Sequence, residues 1–166
     1  MLVHFPIALL TIYALMEVLS YLFFRASTTA LRVKGFLVIV GAASSVPTIV
    51  SGLMIKGQFM GDERLAHTVQ THQYFAFSTL ILFSFLALIY AVLFLQESPW
   101  QHRLATKRWW VILQAKAVCY QKTVLLPSLA LIGLCLVTMT GALGGGLVYG
   151  PEIDPMVSFI YRLLRL

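Results

Sequence analysis

Four apolar stretches constrain this chain more than any other feature of its sequence. They cover residues 5–24, 35–55, 74–95 and 124–148. A helix needs about 20 apolar residues to cross the hydrocarbon core of a bilayer, and backbone amides in lipid must be satisfied within the segment. Only 11% of the residues are charged, against about 25% in a soluble domain. The sequence therefore predicts an all-α integral membrane protein, a bundle of four transmembrane helices.

We expect residues 1–166 to form a single membrane domain. Outside the four apolar stretches, two segments are predicted to lie at the membrane surface. Residues 100–120 combine three tryptophans with a basic series. Tryptophan favours the headgroup layer, and a cationic segment with apolar side chains is typical of a helix on the inner leaflet. A cytoplasmic extension of the fourth helix is the alternative. Residues 156–166 interleave apolar side chains with two arginines. This tail predicts a short amphipathic helix on the outer surface, or a segment that binds a partner.

The distribution of basic residues predicts the orientation of the helices. Eight of the 12 Lys and Arg residues lie in the loops after the first and third stretches, and four lie on the other side. The eight are Arg25, Arg32, Lys34, Arg103, Lys107, Arg108, Lys116 and Lys122. The positive-inside rule places these loops in the cytoplasm. Both termini then lie on the outer, periplasmic side of a bacterial inner membrane. Because the charge sits at helix ends, the net charge of +6 does not indicate nucleic-acid binding.

Three histidines fall at this outer end of the predicted bundle. His4 opens the first stretch, while His67 and His72 precede the third. A cluster of three glycines that begins with Gly144 and Gly145 closes the fourth stretch on the same side. Imidazoles on separate helices, beside a surface with almost no side chains, are suited to a flat iron porphyrin. Ordinary interfacial histidines explain the pattern as well, and another helix or a lipid tail can pack on the glycines.

The candidate haem b ligands are His4 and His72, with His67 as a substitute. His67 and His72 are five residues apart, so they diverge by about 140° on a continuous helix and form no joint site on one face. His72 lies nearer the apolar stretch and is expected to face the bundle. The glycines Gly144 and Gly145 are the expected contacts of the macrocycle edge. Covalent c-type attachment is excluded because no CxxCH motif occurs.

A single carboxylate, Glu17, lies inside the first stretch, about 20 Å along the helix axis from His4. An ionisable residue within a transmembrane segment is by default a functional hypothesis. A role in proton or quinone chemistry is one interpretation. In the other, the carboxyl is neutral, or it bonds to Ser20, Tyr21 or a serine of the second helix.

Two end motifs, VHFPIALL and TGALGGGLVYGPE, resemble an uncharacterised family of bacterial four-helix membrane proteins that carry a domain of unknown function. In that resemblance His4 matches the histidine of the opening motif and His72 matches a histidine at the start of the third helix. Gly144 and Gly145 belong to the closing motif. Ala142 stands where the family often has a histidine, so one ligand of the family is missing here. The resemblance implies a haem or redox association, with links to cytochrome c domains, and no established activity.

Two functions follow as expectations. The first is a small membrane subunit of a bacterial respiratory or photosynthetic electron-transfer complex that binds a b-type haem near the periplasmic face. Its expected partners are membrane lipids, other subunits of the complex and a periplasmic cytochrome c. The second is a purely structural accessory subunit without a cofactor. A transporter is a weaker alternative, and no hydrolase motif indicates that the chain is an enzyme on its own.

Overall fold

Residues 3–23, 28–59, 61 and 63–166 are described by the computed structural model, apart from the side chains of residues 58, 59, 63 and 64. These residues form helices and no strands. The helices are α1 (His4–Phe23), α2 (Thr28–Ile55), α3 (Glu63–Gln96), α4 (Gln101–Leu104), α5 (Arg108–Lys122), α6 (Leu125–Tyr149) and α7 (Pro155–Leu164), with a 3₁₀ turn at Lys56–Phe59. Among them, α1, α2, α3 and α6 are long and apolar enough to cross a membrane. The predictions of an all-α chain and of four helices of that length are confirmed.

Two of the long helices begin well before their apolar stretches. Helix α2 begins at Thr28, and α3 begins at Glu63, so His67 and His72 lie within α3. Alanine, leucine, lysine, arginine, glutamate and glutamine are good helix formers, and their presence before each stretch lets both helices extend on the N-terminal side. Phe24, at the end of the first apolar stretch, and Arg25, one of the eight basic loop residues, lie outside the described residues.

The four long helices pack in the cyclic order α1, α2, α3, α6. Large side chains fill the centre, among them Leu10, Tyr13 and Phe83, which are all completely or almost completely buried. Glycines admit two of these side chains, since Gly41 lies against Leu10 and Gly133 lies against Phe83. Small residues at helix interfaces allow close approach of backbones in lipid. The outer surfaces of the same helices carry many exposed large apolar side chains.

Residues 100–120, predicted as a surface segment, are largely helical and lie beside α3. Helix α5 packs against α3 and buries Trp110, Gln114 and Ala117. The amide oxygen of Gln101 accepts hydrogen bonds from Trp110 Nε1 at 3.0 Å and from Gln114 Nε2 at 2.6 Å, which ties α4 to α5. Trp109 is exposed. One side of α5 therefore packs against the rest of the protein, while Trp109 lies on its exposed side.

The tail forms α7 and folds back against α6. The Asp154 side chain caps α7 by accepting hydrogen bonds from the backbone amides of Met156 and Val157, at 2.8 and 2.9 Å. The Tyr161 ring covers Gly146, where a Cβ atom would overlap it. Its hydroxyl donates to the Leu143 carbonyl oxygen at 3.2 Å. The tail is thus attached to the last two turns of α6.

The attachment of α7 is expected to weaken at alkaline pH through Tyr161. Burial raises the pKa of this phenol above its ordinary value of 10.0. Because the folded-state pKa is the higher one, the contribution of the phenol is fully present below about pH 10 and is lost as pH rises through the folded-state pKa. Tyr161→Phe should cost about 0.5–1.5 kcal/mol at neutral pH, through the lost hydrogen bond, and should remove that part of the alkaline loss. Hydrogen exchange of the α7 amides against pH tests this, and parallel profiles for the two proteins would contradict it.

Candidate functional site

The three histidines lie at one end of the bundle, which we call the histidine end. It consists of the start of α1 with His4, the first part of α3 with His67 and His72, and the last turns of α6. A Cβ atom placed on Gly144 would lie 3.3 Å from Cε1 of His72, and one on Gly141 would lie 3.9 Å from Cδ1 of Ile7. These contacts place the first turns of α1 and the His72 region of α3 beside the end of α6.

His72 is the histidine that enters the bundle. Its ring is half-buried and lies on Gly144, next to the backbone of Thr140. Its Nδ1 atom is buried and has no hydrogen-bond partner among the described residues. Buried polar atoms are nearly always hydrogen-bonded, so this nitrogen is an exception among the described residues.

The other two histidines lie on the outside of the histidine end. His4 and His67 are both exposed, as expected of residues near helix ends. The described residues contain no group of three or more His, Cys, Asp or Glu side chains that could hold a metal ion. Haem iron needs only one or two axial ligands, so this finding does not test the assignment of His4 and His72, which stays a prediction.

The glycine surface is partly covered by protein rings. His72 lies against Gly144, and Tyr161 of α7 lies against Gly146. Only Gly145, between them, has nothing within 4 Å of the place where its Cβ atom would be. The donor chemistry of His72 therefore suits haem iron, but the glycine surface does not offer an open face to a porphyrin in this arrangement of side chains.

A second polar cluster lies inside the bundle, near the opposite end. The Lys34 ammonium group donates to Oε1 of Glu17 at 3.1 Å, and the Tyr90 hydroxyl donates to Oε2 of the same carboxylate. The side chains of Lys34 and Glu17 are only 10% and 6% exposed. Each of the three residues lies six positions from the end of its helix, or about 9 Å along the axis. Three different helices thus contribute to one buried polar cluster, of which Glu17 and Lys34 form the ion pair.

The phenol of Tyr13 lies beside this cluster. Its ring packs edge-on against the Tyr90 ring, with centroids 5.7 Å apart, and its hydroxyl is buried without a hydrogen-bond partner among the described residues. The Lys34 ammonium lies 5.9 Å from the centre of the Tyr90 ring. A buried carboxylate is therefore surrounded by one cation and two phenols, an arrangement that neutralises its charge and satisfies both of its oxygens.

The partners of Glu17 differ from those that the sequence suggested. Ser20 donates to the backbone oxygens of Met16 and Glu17 rather than to the carboxylate, and Lys34, expected in a loop, lies buried within α2. Glu17, Lys34 and Tyr90 are each six residues from the end of their helix and so lie at the same depth. The sequence did not indicate this for Lys34, because the predicted apolar stretch began only at residue 35.

Comparisons of this chain with models of known families, with curated proteins and with solved structures found no match. The resemblance of its two end motifs to a family therefore stays a prediction.

Proposed function

We propose that the chain crosses a bacterial inner membrane four times, with both termini and the histidine end on the periplasmic side. The support is the surface of the four long helices. Phe36, Ile81 and Leu88 are each more than 60% exposed, and such surfaces require lipid or another apolar partner. The orientation rests on the positive-inside rule. Lys34 is neutralised by Glu17, yet the basic residues of the predicted cytoplasmic loops still outnumber those on the other side.

Within that membrane, we infer that the protein is a small subunit of a respiratory or photosynthetic electron-transfer complex and that His72 contacts its redox group. The observation that carries this proposal is the buried Nδ1 atom of His72, which lacks a hydrogen-bond partner among the described residues. Histidine is one of the residues that hold haem iron, and its neutral imidazole is a common metal ligand. Haem b would supply one-electron transfer at the periplasmic face. His4 would be the second ligand, with a periplasmic cytochrome c as the electron partner.

An accessory subunit without a cofactor is the second candidate. It is favoured by the coverage of Gly144 and Gly146 by the rings of His72 and Tyr161, since a closed surface needs no cofactor to fill it. In this case the Nδ1 atom of His72 would bond to a water or to a group of a neighbouring subunit. The protein would then stabilise the complex through its apolar helix surfaces.

The two candidates differ in the colour of the protein purified from its native membrane. Under the first, the reduced-minus-oxidised spectrum shows a b-type alpha band, and His72→Ala abolishes the band because the iron loses its ligand. His4→Ala should abolish it as well if His4 is the second ligand. The matched control is His102→Ala, since His102 is exposed on α4, away from the histidine end.

Full haem content in both the His72→Ala and the His4→Ala proteins would overturn the ligand assignment. A colourless wild-type protein that co-purifies with stoichiometric subunits would replace the first candidate with the second. Subunit composition and pigment content should therefore be measured on the same sample.

A further inference from the structure

Helix α7 carries three distinct stripes along its length. One apolar stripe packs against α6, a second apolar stripe is exposed, and a basic stripe is exposed. The packed stripe consists of Val157, Ile160, Tyr161 and Leu164. The exposed apolar stripe consists of Met156, Phe159 and Leu163. The basic stripe consists of Arg162, within the helix, and Arg165, which directly follows the helix as its C-cap. At 3.6 residues per turn the two apolar stripes adjoin and together span roughly 200° of the helix circumference. The bundle covers only part of that apolar surface.

The contacts of α7 place it at a definite depth beside α6. Tyr161 covers Gly146 and bonds to the Leu143 carbonyl oxygen. These two positions lie three and six residues before the end of α6 at Tyr149, or about 5 and 9 Å along its axis. Interfacial helices bury their apolar face about 5–10 Å into the boundary between headgroups and acyl chains. With the end of α6 at the headgroup layer, as the proposed insertion implies, α7 would lie at that boundary.

Two further features favour lipid over protein as the cover of the exposed apolar stripe. Val148 and Tyr149, at the end of α6, are also strongly exposed, so the apolar surface continues from the long helix to the tail. The basic stripe carries Arg162 and Arg165, both exposed, and basic side chains on the polar face of an interfacial helix attract lipid phosphates.

We propose that α7 is an interfacial helix that binds the phospholipids of the leaflet at the histidine end. Acyl chains cover Met156, Phe159 and Leu163, and lipid phosphates lie near Arg162 and Arg165. Because Tyr161 also covers Gly146, lipid binding by α7 keeps the glycine surface closed on that side. This inference rests on the proposed membrane insertion and on nothing proposed about a cofactor.

Spin labelling tests the proposal in lipid nanodiscs. Single cysteines are introduced at Phe159 or Arg162 after Cys119→Ser and Cys135→Ser, and each is labelled with a nitroxide. Oxygen dissolves in lipid and a nickel chelate stays in water, so the ratio of their collision rates reports the surroundings of the label. We expect the ratio of oxygen to nickel collisions to be several-fold higher at Phe159→Cys than at Arg162→Cys. The control is Ile81→Cys, on an exposed surface of α3 far from its ends.

The outcomes separate this inference from the membrane insertion itself. A water-exposed label at Ile81→Cys would overturn the insertion. A lipid-exposed label at Ile81→Cys with equal ratios at Phe159→Cys and Arg162→Cys would overturn the inference alone. A label at Phe159→Cys that neither reagent reaches would also overturn it, in favour of a protein partner or a second copy. Photoreactive phospholipids provide the same test on the unmodified protein, where the labelled residues must include some within 156–163.

Discussion

Lys34→Met is expected to destabilise the bundle by about 3–5 kcal/mol, because removal of one partner leaves the other charge of a buried pair uncompensated. Among the described residues, the Lys34 ammonium forms the ion pair with the Glu17 carboxylate. Tyr90 also donates to this carboxylate, but a phenol does not neutralise its charge. The measurement is the free energy of unfolding in mixed micelles, followed by circular dichroism as denaturing detergent is added.

Two further variants make this prediction specific to the buried pair. Arg32→Met removes the exposed ion pair between Arg32 and Glu97 and should cost at most about 1 kcal/mol, as exposed pairs do. The double variant Glu17→Gln with Lys34→Met removes both charges and should recover most of the lost stability. A cost for Lys34→Met no larger than that of Arg32→Met would show that the buried pair does not stabilise the bundle.

Gly133→Leu should destabilise the contact between α3 and α6, with a cost of about 1–3 kcal/mol or more from overpacking. Even a Cβ atom at this position would lie 2.6 Å from Cζ of Phe83. The Phe83 ring is completely buried and packs edge-on against Tyr13, with centroids 6.1 Å apart, so it has no free space to enter. We expect α3 and α6 to separate locally. Unfolding in mixed micelles should therefore occur at a lower concentration of denaturing detergent.

The same helix provides the control for this prediction. Nothing lies within 4 Å of a Cβ atom at Gly145, and alanine in a helix is favoured over glycine by about 0.5–1 kcal/mol. Gly145→Ala should therefore leave the stability of the cofactor-free protein unchanged or raise it slightly. Equal effects of Gly133→Ala and Gly145→Ala would mean that contact with Phe83 does not constrain the helix pair.

The candidate site at the histidine end was predictable only in outline. Successive helices of a bundle alternate in direction, so the start of the third helix and the end of the fourth lie at the same end. The pattern of apolar stretches therefore predicted that His72 and the glycines share one end. In the structure, His72 lies on Gly144. The pattern did not predict that Tyr161 of α7 would cover Gly146. A short tail can fold back or extend with the same local propensities, so its place depends on the surface it meets.

Local properties of the sequence were sufficient for the helical class and for four helices of membrane-spanning length, because apolar length and helix propensity are summed along a short segment. Only the tertiary structure decided which polar groups meet, such as Lys34 and Tyr90 at Glu17. Those contacts depend on the rotation of each helix about its axis and on its choice of neighbours. Rotation and pairing follow from the packing of side chains across four helices at once, which no single segment contains.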